Sequence, residues 1–141
     1  MAMTDLQALS QRFAPQAVDT AGGRIGFRRA GPRQGPCAIE PLVLLHGIGS
    51  GSGSWVRQLE AFGETREVLA WDAPGYGDSA PVAAARPQAR DYGERVWAWL
   101  DALGLRGPVT LAGHSLGAIM AAAAAGLQPA RVARLVLLSP A

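Results

Sequence analysis

The sequence contains no lysine, and this absence excludes one class of nucleotide-binding site. A P-loop needs the run Gly-Lys-Ser/Thr to hold phosphates, so these 141 residues cannot form one. The positive charge comes from 13 arginines, scattered from Arg12 to Arg134 among 11 acidic residues. Because they form no basic stripe, we predict no nucleic-acid partner. A G-x-G-x-x-A pattern fits residues 75–80, but Pro81 follows where a phosphate-facing helix should begin.

Cysteine and histidine are almost as scarce. Cys37 is the only cysteine, so we predict neither an internal disulfide nor a cysteine metal cluster. His46 and His114 are the only histidines, and their separation matches no metal-ligand spacing. We therefore predict that the chain uses no metal and no cofactor.

Long hydrophobic runs are also missing. The longest apolar run, residues 116–127, is too short to span a bilayer and reads as a buried helix. Residues 1–16 mix polar and apolar side chains and contain no stretch of the signal-peptide type. We predict a cytoplasmic protein without membrane association.

The composition nevertheless favours a packed interior. Hydrophobic residues make up 49% of the chain and charged residues only 17%, which argues against a disordered binding segment. At 141 residues the chain is long enough for one core, so we predict one domain or part of one.

Strand and helix patterns alternate along the chain. Gly22-Gly23 separates two short strands predicted at residues 17–20 and 24–29, and residues 31–41 are predicted to form a loop. Further strands are predicted at 42–45, 67–71, 109–112 and 134–138, with helices near 55–62, from 91 to 103 and over 116–127. This order predicts an α/β fold: a mostly parallel sheet with right-handed crossovers and helices on both faces.

The predicted helices carry recognisable signals. Asp91 and Glu94 resemble a capping box at the start of the second helix, and Gly104 ends it. The apolar faces of the first two helices are predicted to be Trp55, Leu59, Phe62 and Tyr92, Val96, Trp99, Leu100, Leu103. The alanines at 121–125 predict that the third helix packs close to the sheet.

Residues 113–117, Gly-His-Ser-Leu-Gly, match the pattern G-x-S-x-G between a predicted strand and a predicted helix. Ser115 would lie on a sharp turn whose flanking glycines remove Cβ atoms that would collide. This places its hydroxyl above the sheet, near the positive end of a helix dipole. The context predicts that Ser115 is a nucleophile.

His46-Gly47-Ile48-Gly49 follows the first parallel strand, where a loop can direct an N–H group toward the same point. A tetrahedral intermediate needs donors that are already oriented, and we predict an oxyanion hole formed by the amides of Ile48 and Leu116. His46 is expected to brace this loop. A flexible Gly/Ser linker is the alternative interpretation of the loop.

These segments, with Asp-Ala-Pro-Gly-Tyr-Gly-Asp-Ser at residues 72–79, resemble the α/β-hydrolase superfamily in content and order. The resemblance covers about residues 17–141. Within the superfamily, the motif sequences are most similar to those of small bacterial esterases and lactonases, including the 3-oxoadipate enol-lactonase group. It implies a serine hydrolase acting on a carboxylic ester or lactone. Haloalkane dehalogenases and epoxide hydrolases resemble the chain less, because they place Asp where this sequence has Ser115.

One part of the family pattern has no counterpart. The resemblance implies a triad in the order Ser, acid, His, with the last two beyond the strand at 134–138. His114 directly precedes Ser115 and should point away from it, while Asp72 and Asp78 are expected to stabilise a turn. We therefore expect residues 1–141 to be a partial hydrolase core domain, without lid, acid or base, and nearly inactive alone.

The alternative to an enzyme is a non-catalytic protein product. In the family's strand order residues 134–138 form an interior strand, so an apolar edge would be left unpaired. Such an edge predicts a homodimer or a complementing chain. Whether Trp55 and Tyr76 line a pocket or only pack stays open from the sequence.

Overall fold

The computed structural model describes residues 3–32 and 39–141, so most of the predicted loop at 31–41, with Cys37, lies outside the described residues. Helices α1–α4 are Asp5–Arg12, Val56–Phe62, Ala89–Ala102 and Leu116–Leu127, with 3-10 turns at Ser52–Trp55 and Pro129–Arg131. Strands β1–β6 are Gln16–Val18, Ile25–Ala30, Leu42–Leu45, Val68–Trp71, Val109–His114 and Val132–Leu138. The predicted alternation is confirmed.

The strands of the described residues form one mixed sheet in the order β1-β2-β4-β3-β5-β6. β1 and β2 form the predicted hairpin, and β2 also pairs antiparallel with β4. From β4 to β6 all pairs are parallel, with Leu44 beside both Ala70 and Ala112. The carboxyl ends of β3, β4 and β5 therefore meet at one edge, where ligands of open α/β sheets bind.

β3 has no polar face because helices cover both sides of the sheet. Val43 and Leu45 join the core under α3 and α4, whereas Leu42 and Leu44 join the core under α1 and α2. All four side chains are buried, as expected for a central parallel strand.

α4 packs close to the sheet, as its alanines predicted, and it also packs close to α3. Ala121 and Ala124 are fully buried, and a Cβ on Gly93 of α3 would lie 2.9 Å from the Ala124 nitrogen. The indole of Trp97 donates to the Ala124 carbonyl at 2.8 Å. Small side chains thus allow backbone-level contact between the two helices.

The start of α3 differs from the prediction. Gln88, not Asp91, is the N-cap residue, and Asp91 is the third helical residue, accepting from the Gln88 N–H at 2.7 Å. In a capping box, the side chain of the third helical residue accepts from the backbone N–H of the N-cap residue, which stabilises the first turn. The acidic signal was therefore correct for a helix start, but the start lies three residues earlier.

Two features on the sheet face covered by α1 and α2 were not predicted. Helix α1 has a capping box between Thr4 and Gln7, and it buries Leu9 against the core under α2. Phe62 was predicted to be part of the apolar face of α2, but it ends the helix with 47% of its surface exposed. The buried face of α2 is formed by Val56 and Leu59.

β6 is the outer strand of the sheet formed by the described residues. It runs parallel to β5, and its last four residues, Leu135, Val136, Leu137 and Leu138, are each 40–43% exposed. The apolar edge predicted from the sequence is present. The helices in the described part of the chain are all too short or too polar to cross a bilayer.

Candidate active site

Ser115 lies on the turn that joins β5 to α4. Its φ of 55° and ψ of −116° place its backbone in a conformation that residues other than glycine rarely adopt. Such backbone strain costs about 1–3 kcal/mol and persists only where the surrounding structure imposes it. Ser115 is half-buried, so its side chain lies at the surface of the carboxyl edge of the sheet.

Two glycines make this turn possible. A Cβ on Gly113 would lie 2.2 Å from the Gly117 oxygen, and a Cβ on Gly117 would lie 2.1 Å from the Leu45 oxygen. Both contacts are with backbone atoms, which cannot rotate away as a side chain can. The first turn of α4 therefore rests directly on the end of β3.

Hydrogen bonds from two other elements hold the Ser115 backbone. Its N–H donates to the Leu138 carbonyl at 3.0 Å, and its carbonyl accepts from the Ala118 N–H at 3.0 Å. The end of β6 thus fixes one side of the turn, and α4 fixes the other. Leu116 is the first residue of α4, so its N–H has no acceptor within the helix and is available at this edge.

The loop after β3 contacts the Ser115 turn. A Cβ on Gly47 would lie 3.2 Å from the Cβ of Ser115, so the two loops touch. The Ser50 N–H donates to the Gly47 carbonyl at 3.2 Å, closing a turn in which Gly49 has a φ of 71°. The structure therefore brings the loop that carries Ile48 against Ser115. Ile48 is 76% exposed, so packing does not hold its side chain in place.

His46 sets the orientation of this loop. The Ala73 N–H donates to His46 Nε2 at 3.0 Å, so Nδ1 carries the ring proton and donates to the Gly47 carbonyl at 2.8 Å. In a trans peptide the carbonyl and the next N–H point in opposite directions. Holding the Gly47 carbonyl on the His46 side therefore turns the Ile48 N–H the other way. The bracing contact expected of His46 is present.

His46 is 2% exposed, and both of its ring nitrogens are engaged. Burial is the main influence on the pKa of His46 and lowers it, while the bond to the Gly47 carbonyl and the Asp72 carboxylate oppose that shift. The neutral ring is the form that accepts from the Ala73 N–H. Protonation would remove this acceptor and leave a buried donor facing another donor.

We expect this pKa shift to make stability fall in acid. Because the folded pKa lies below the unfolded one, the unfolded chain binds more protons once the pH drops below about 6.5. The contribution is complete above that pH and is lost toward the folded pKa, at up to about 1.4 kcal/mol per pH unit. Urea unfolding at about pH 8 and about pH 5.5 measures this loss. His46→Asn should reduce it, whereas His114→Asn should retain it because His46 is intact.

The turn after β4 supports the same loop through Asp72. Its Oδ1 accepts from the Ser52 N–H at 2.8 Å, and its carbonyl accepts from the buried Ser79 hydroxyl. Ser79 Oγ also accepts from the Gly26 N–H at 2.9 Å, which joins the turn to β2. Asp72 is thus a turn-stabilising residue, as expected. No group of three His, Cys, Asp or Glu side chains within residues 3–32 and 39–141 could hold a metal.

Sequence reasoning left Tyr76 undecided, and the structure gives it a contact at the site. Its hydroxyl accepts from the Gly49 N–H at 3.2 Å, and its ring meets the His46 ring edge-on with centroids 4.9 Å apart. The signal available in the sequence was its position in a turn directly after a predicted strand. Trp55 packs in the core under α2 and also lines a cavity beside the loop after β3.

The structure has a cavity near the Ser115 turn and a larger one elsewhere, so cavity size does not locate the site. One of about 310 Å³ lies beside the loop after β3, with Gly47, Trp55 and His114 among its lining residues. A larger groove of about 540 Å³ lies between α3 and the end of α4, lined in part by Trp97 and Asp101. The larger groove is remote from the strained serine, so we place the candidate site at Ser115.

Comparison with protein families identifies the fold family of the chain. A family described as having the alpha/beta hydrolase fold matches residues 40–141. That match includes the loop after β3, the turn after β4 and the Ser115 turn.

Similar proteins carry several activities in their names. An acetyltransferase component of the acetoin cleaving system from Pseudomonas putida is 38% identical over 132 residues, covering 94% of this chain and 34% of that protein. The (E)-2-((N-methylformamido)methylene)succinate hydrolase of Acinetobacter baylyi is 37% identical over 100 residues, covering 71% and 37%.

Solved structures agree with the fold. A bacterial membrane phospholipase A superposes with a TM-score of 0.83 at 29% identity, covering 96% of this chain and 42% of that one. An epoxide hydrolase from an endophytic Streptomyces gives 0.78 at 32% identity, covering 89% and 37%. The chain therefore spans roughly a third to two fifths of the length of these proteins.

Proposed function

Because the chain belongs to the α/β-hydrolase fold family, we propose that Ser115 is the nucleophile of a serine hydrolase acting on a carboxylic ester or lactone. The observation that carries this proposal is the strained Ser115 backbone, held between β5, β6 and α4 with the Gly47 loop against it. Strain of this kind is maintained at functional sites because it presents a side chain that a relaxed turn would not. An ordinary turn serine needs neither the positive φ nor the two tightly packed glycines.

The proposed reaction is acyl transfer in two steps. Ser115 Oγ loses its proton to a base and attacks the carbonyl carbon, whose oxygen becomes an oxyanion held by the Ile48 and Leu116 amides. The bond to the alcohol oxygen then breaks, and the alcohol leaves with the proton. Water attacks the acyl-enzyme in the same way, releasing the acid and restoring Ser115. With a lactone, the alcohol formed in the first step remains part of the acyl group, and the second step releases a single hydroxy acid.

The identity of the nucleophile favours a carbonyl substrate. A serine ester is readily hydrolysed, whereas opening of an epoxide by Ser115 would leave an ether that water cannot cleave under mild conditions. The likeness to an epoxide hydrolase therefore extends to the fold but not, in our proposal, to the reaction. The name of one similar structure, a phospholipase A, is consistent with ester chemistry, whereas the substrate named for the similar hydrolase is a formamido compound.

Neither histidine suits the role of the base. Both ring nitrogens of His46 are engaged, and His114 is exposed with its Nδ1 near Gly47. We propose that residues 1–141 are part of a core domain, and that the triad acid and base come from the part of the family's length that this chain does not span. An unassisted serine is a poor nucleophile, and loss of the base costs on the order of 10⁶ in kcat in subtilisin. Alone, these residues should therefore be almost inactive.

Covalent labelling tests the proposal. The protein expressed from its complete reading frame is treated with a fluorophosphonate, digested with trypsin and analysed by mass spectrometry. The tryptic peptide of residues 107–131 contains Ser115 as its only serine, so the adduct is unambiguous. We expect labelling of that peptide, and far slower labelling of the isolated 141-residue chain. An unlabelled Ser115 in the complete protein would contradict a serine hydrolase.

A second candidate function is favoured by the exposed β6 edge. We propose, as the alternative, a non-catalytic product whose apolar residues at the end of β6 pair with a second copy or with a complementing chain. Light scattering tests this: a mass of twice 14.7 kDa supports a dimer, whereas a stable monomer at high concentration contradicts it. The cytoplasmic location remains a prediction from the sequence.

A further inference from the structure

The Tyr76 side chain, which is outside the proposed triad, contacts the loop that carries Ile48. The Gly47 carbonyl anchors the loop twice: it accepts from Nδ1 of the His46 side chain at 2.8 Å and from the Ser50 N–H at 3.2 Å. On the other side of Ile48, the Gly49 N–H donates to the Tyr76 hydroxyl at 3.2 Å. The Ile48 residue thus lies between two fixed peptide groups.

The Gly49 position needs such an anchor. Gly49 has a φ of 71°, is exposed, and a Cβ built on it would meet nothing within 4 Å. Packing therefore does not limit its motion, and glycine adopts many backbone conformations at little cost. The Tyr76 hydroxyl supplies the contact that packing does not.

Tyr76 is itself well placed to act as an anchor. Its N–H donates to the Ala73 carbonyl at 2.8 Å, so its backbone is part of a closed turn after β4. Its ring packs edge-on against the buried His46 ring. The hydroxyl therefore extends from a supported ring to the Gly49 amide, a part of the loop that packing does not hold.

We propose that Tyr76 is a positioning residue for the oxyanion hole: its hydroxyl fixes the Gly49 amide and thereby the orientation of the Ile48 N–H. The inference rests on the proposed function, because an oxyanion hole matters only if Ser115 attacks a carbonyl. Donors that are already oriented stabilise the transition state more than the bound substrate. Loss of the hydroxyl therefore lowers kcat and leaves KM nearly unchanged.

The test compares Tyr76→Phe with Tyr92→Phe in the protein expressed from its complete reading frame. These are the only tyrosines in the chain, and Tyr92 lies on α3, packed against the core. The first readout is the exchange rate of the Gly49 amide by NMR, which requires no activity. We expect exchange about fivefold faster in Tyr76→Phe, as for loss of one ordinary hydrogen bond, and unchanged in Tyr92→Phe.

The second readout is kcat and KM for a p-nitrophenyl ester. We expect kcat to fall about tenfold in Tyr76→Phe with KM unchanged, less than the 10²–10³-fold loss when an oxyanion donor is removed outright. Unchanged Gly49 exchange overturns the inference, as does an unchanged kcat in a protein that hydrolyses the ester. A protein with no ester activity and an unlabelled Ser115 rejects the proposed function and, with it, the oxyanion-hole role of Tyr76. Gly49 exchange would then report only on the loop contact.

Discussion

Replacing Ser115 with alanine is expected to lower kcat for ester hydrolysis by on the order of 10⁶, as removal of the nucleophile does in subtilisin. The expectation follows from the site: the serine hydroxyl provides the atom that forms the acyl bond, and water cannot take its place within the same geometry. Alanine keeps the Cβ and the same backbone requirement at φ 55°, so the fold should be retained. The effect is therefore chemical and not structural.

Steady-state hydrolysis of a p-nitrophenyl ester by the protein from its complete reading frame measures this loss. Ser10→Ala, on helix α1, is the matched control and should keep wild-type kcat. Circular dichroism of both variants checks that the folds are the same. A Ser115→Ala protein that retains more than about a tenth of wild-type kcat would show that another residue is the nucleophile, because no triad enzyme tolerates this loss so well.

The sequence predicted best where several local signals coincide. α4 occupies residues 116–127 as predicted, because the elbow glycine, the alanine run and the preceding strand all favour a helix start at Leu116. The central strands were also predicted correctly, since a four-residue apolar run bounded by turn residues has few alternatives.

Prediction was less accurate where one signal had two interpretations. An acidic residue such as Asp91 stabilises a helix both as the N-cap and three residues later, so composition alone did not fix the start of α3. Phe62 fits the helical period of α2, but it lies at the end of the helix, where the core no longer covers it.

The supporting contacts of the site could not be predicted because they depend on strand order. His46 and Ala73 are 27 residues apart, as are Gly49 and Tyr76. They meet because β3 and β4 are parallel neighbours whose carboxyl ends lie together. A sequence indicates that both loops follow strands, but not that those strands are adjacent.

The sheet order also connects the exposed strand to the chemistry. β6 is the outer strand of the described sheet, yet the Leu138 carbonyl accepts from the Ser115 N–H. Any change in the pairing of β6 would therefore alter one of the bonds that maintain the strained turn. Stability of this edge and presentation of the nucleophile depend on the same strand.

Gly117→Ala is expected to destabilise the fold by about 3 kcal/mol or more, or to prevent folding. The added Cβ would lie 2.1 Å from the Leu45 oxygen and 2.6 Å from the His46 oxygen. Both are backbone atoms at the end of a central strand, so relief requires α4 to move away from the sheet. That movement would also displace the Ser115 turn, and activity should fall with stability.

Gly126→Ala is the matched control because it makes the same substitution in the same helix. Gly126 is exposed, and an added Cβ there meets nothing within 4 Å. Alanine in a helix is more favourable than glycine by about 0.5–1 kcal/mol, so this variant should be slightly more stable than wild type. Urea unfolding of both variants gives the comparison. Wild-type stability of Gly117→Ala, with Gly126→Ala behaving as expected, would contradict this prediction. It would mean that α4 does not contact β3 closely at Gly117, and that this contact does not shape the Ser115 turn.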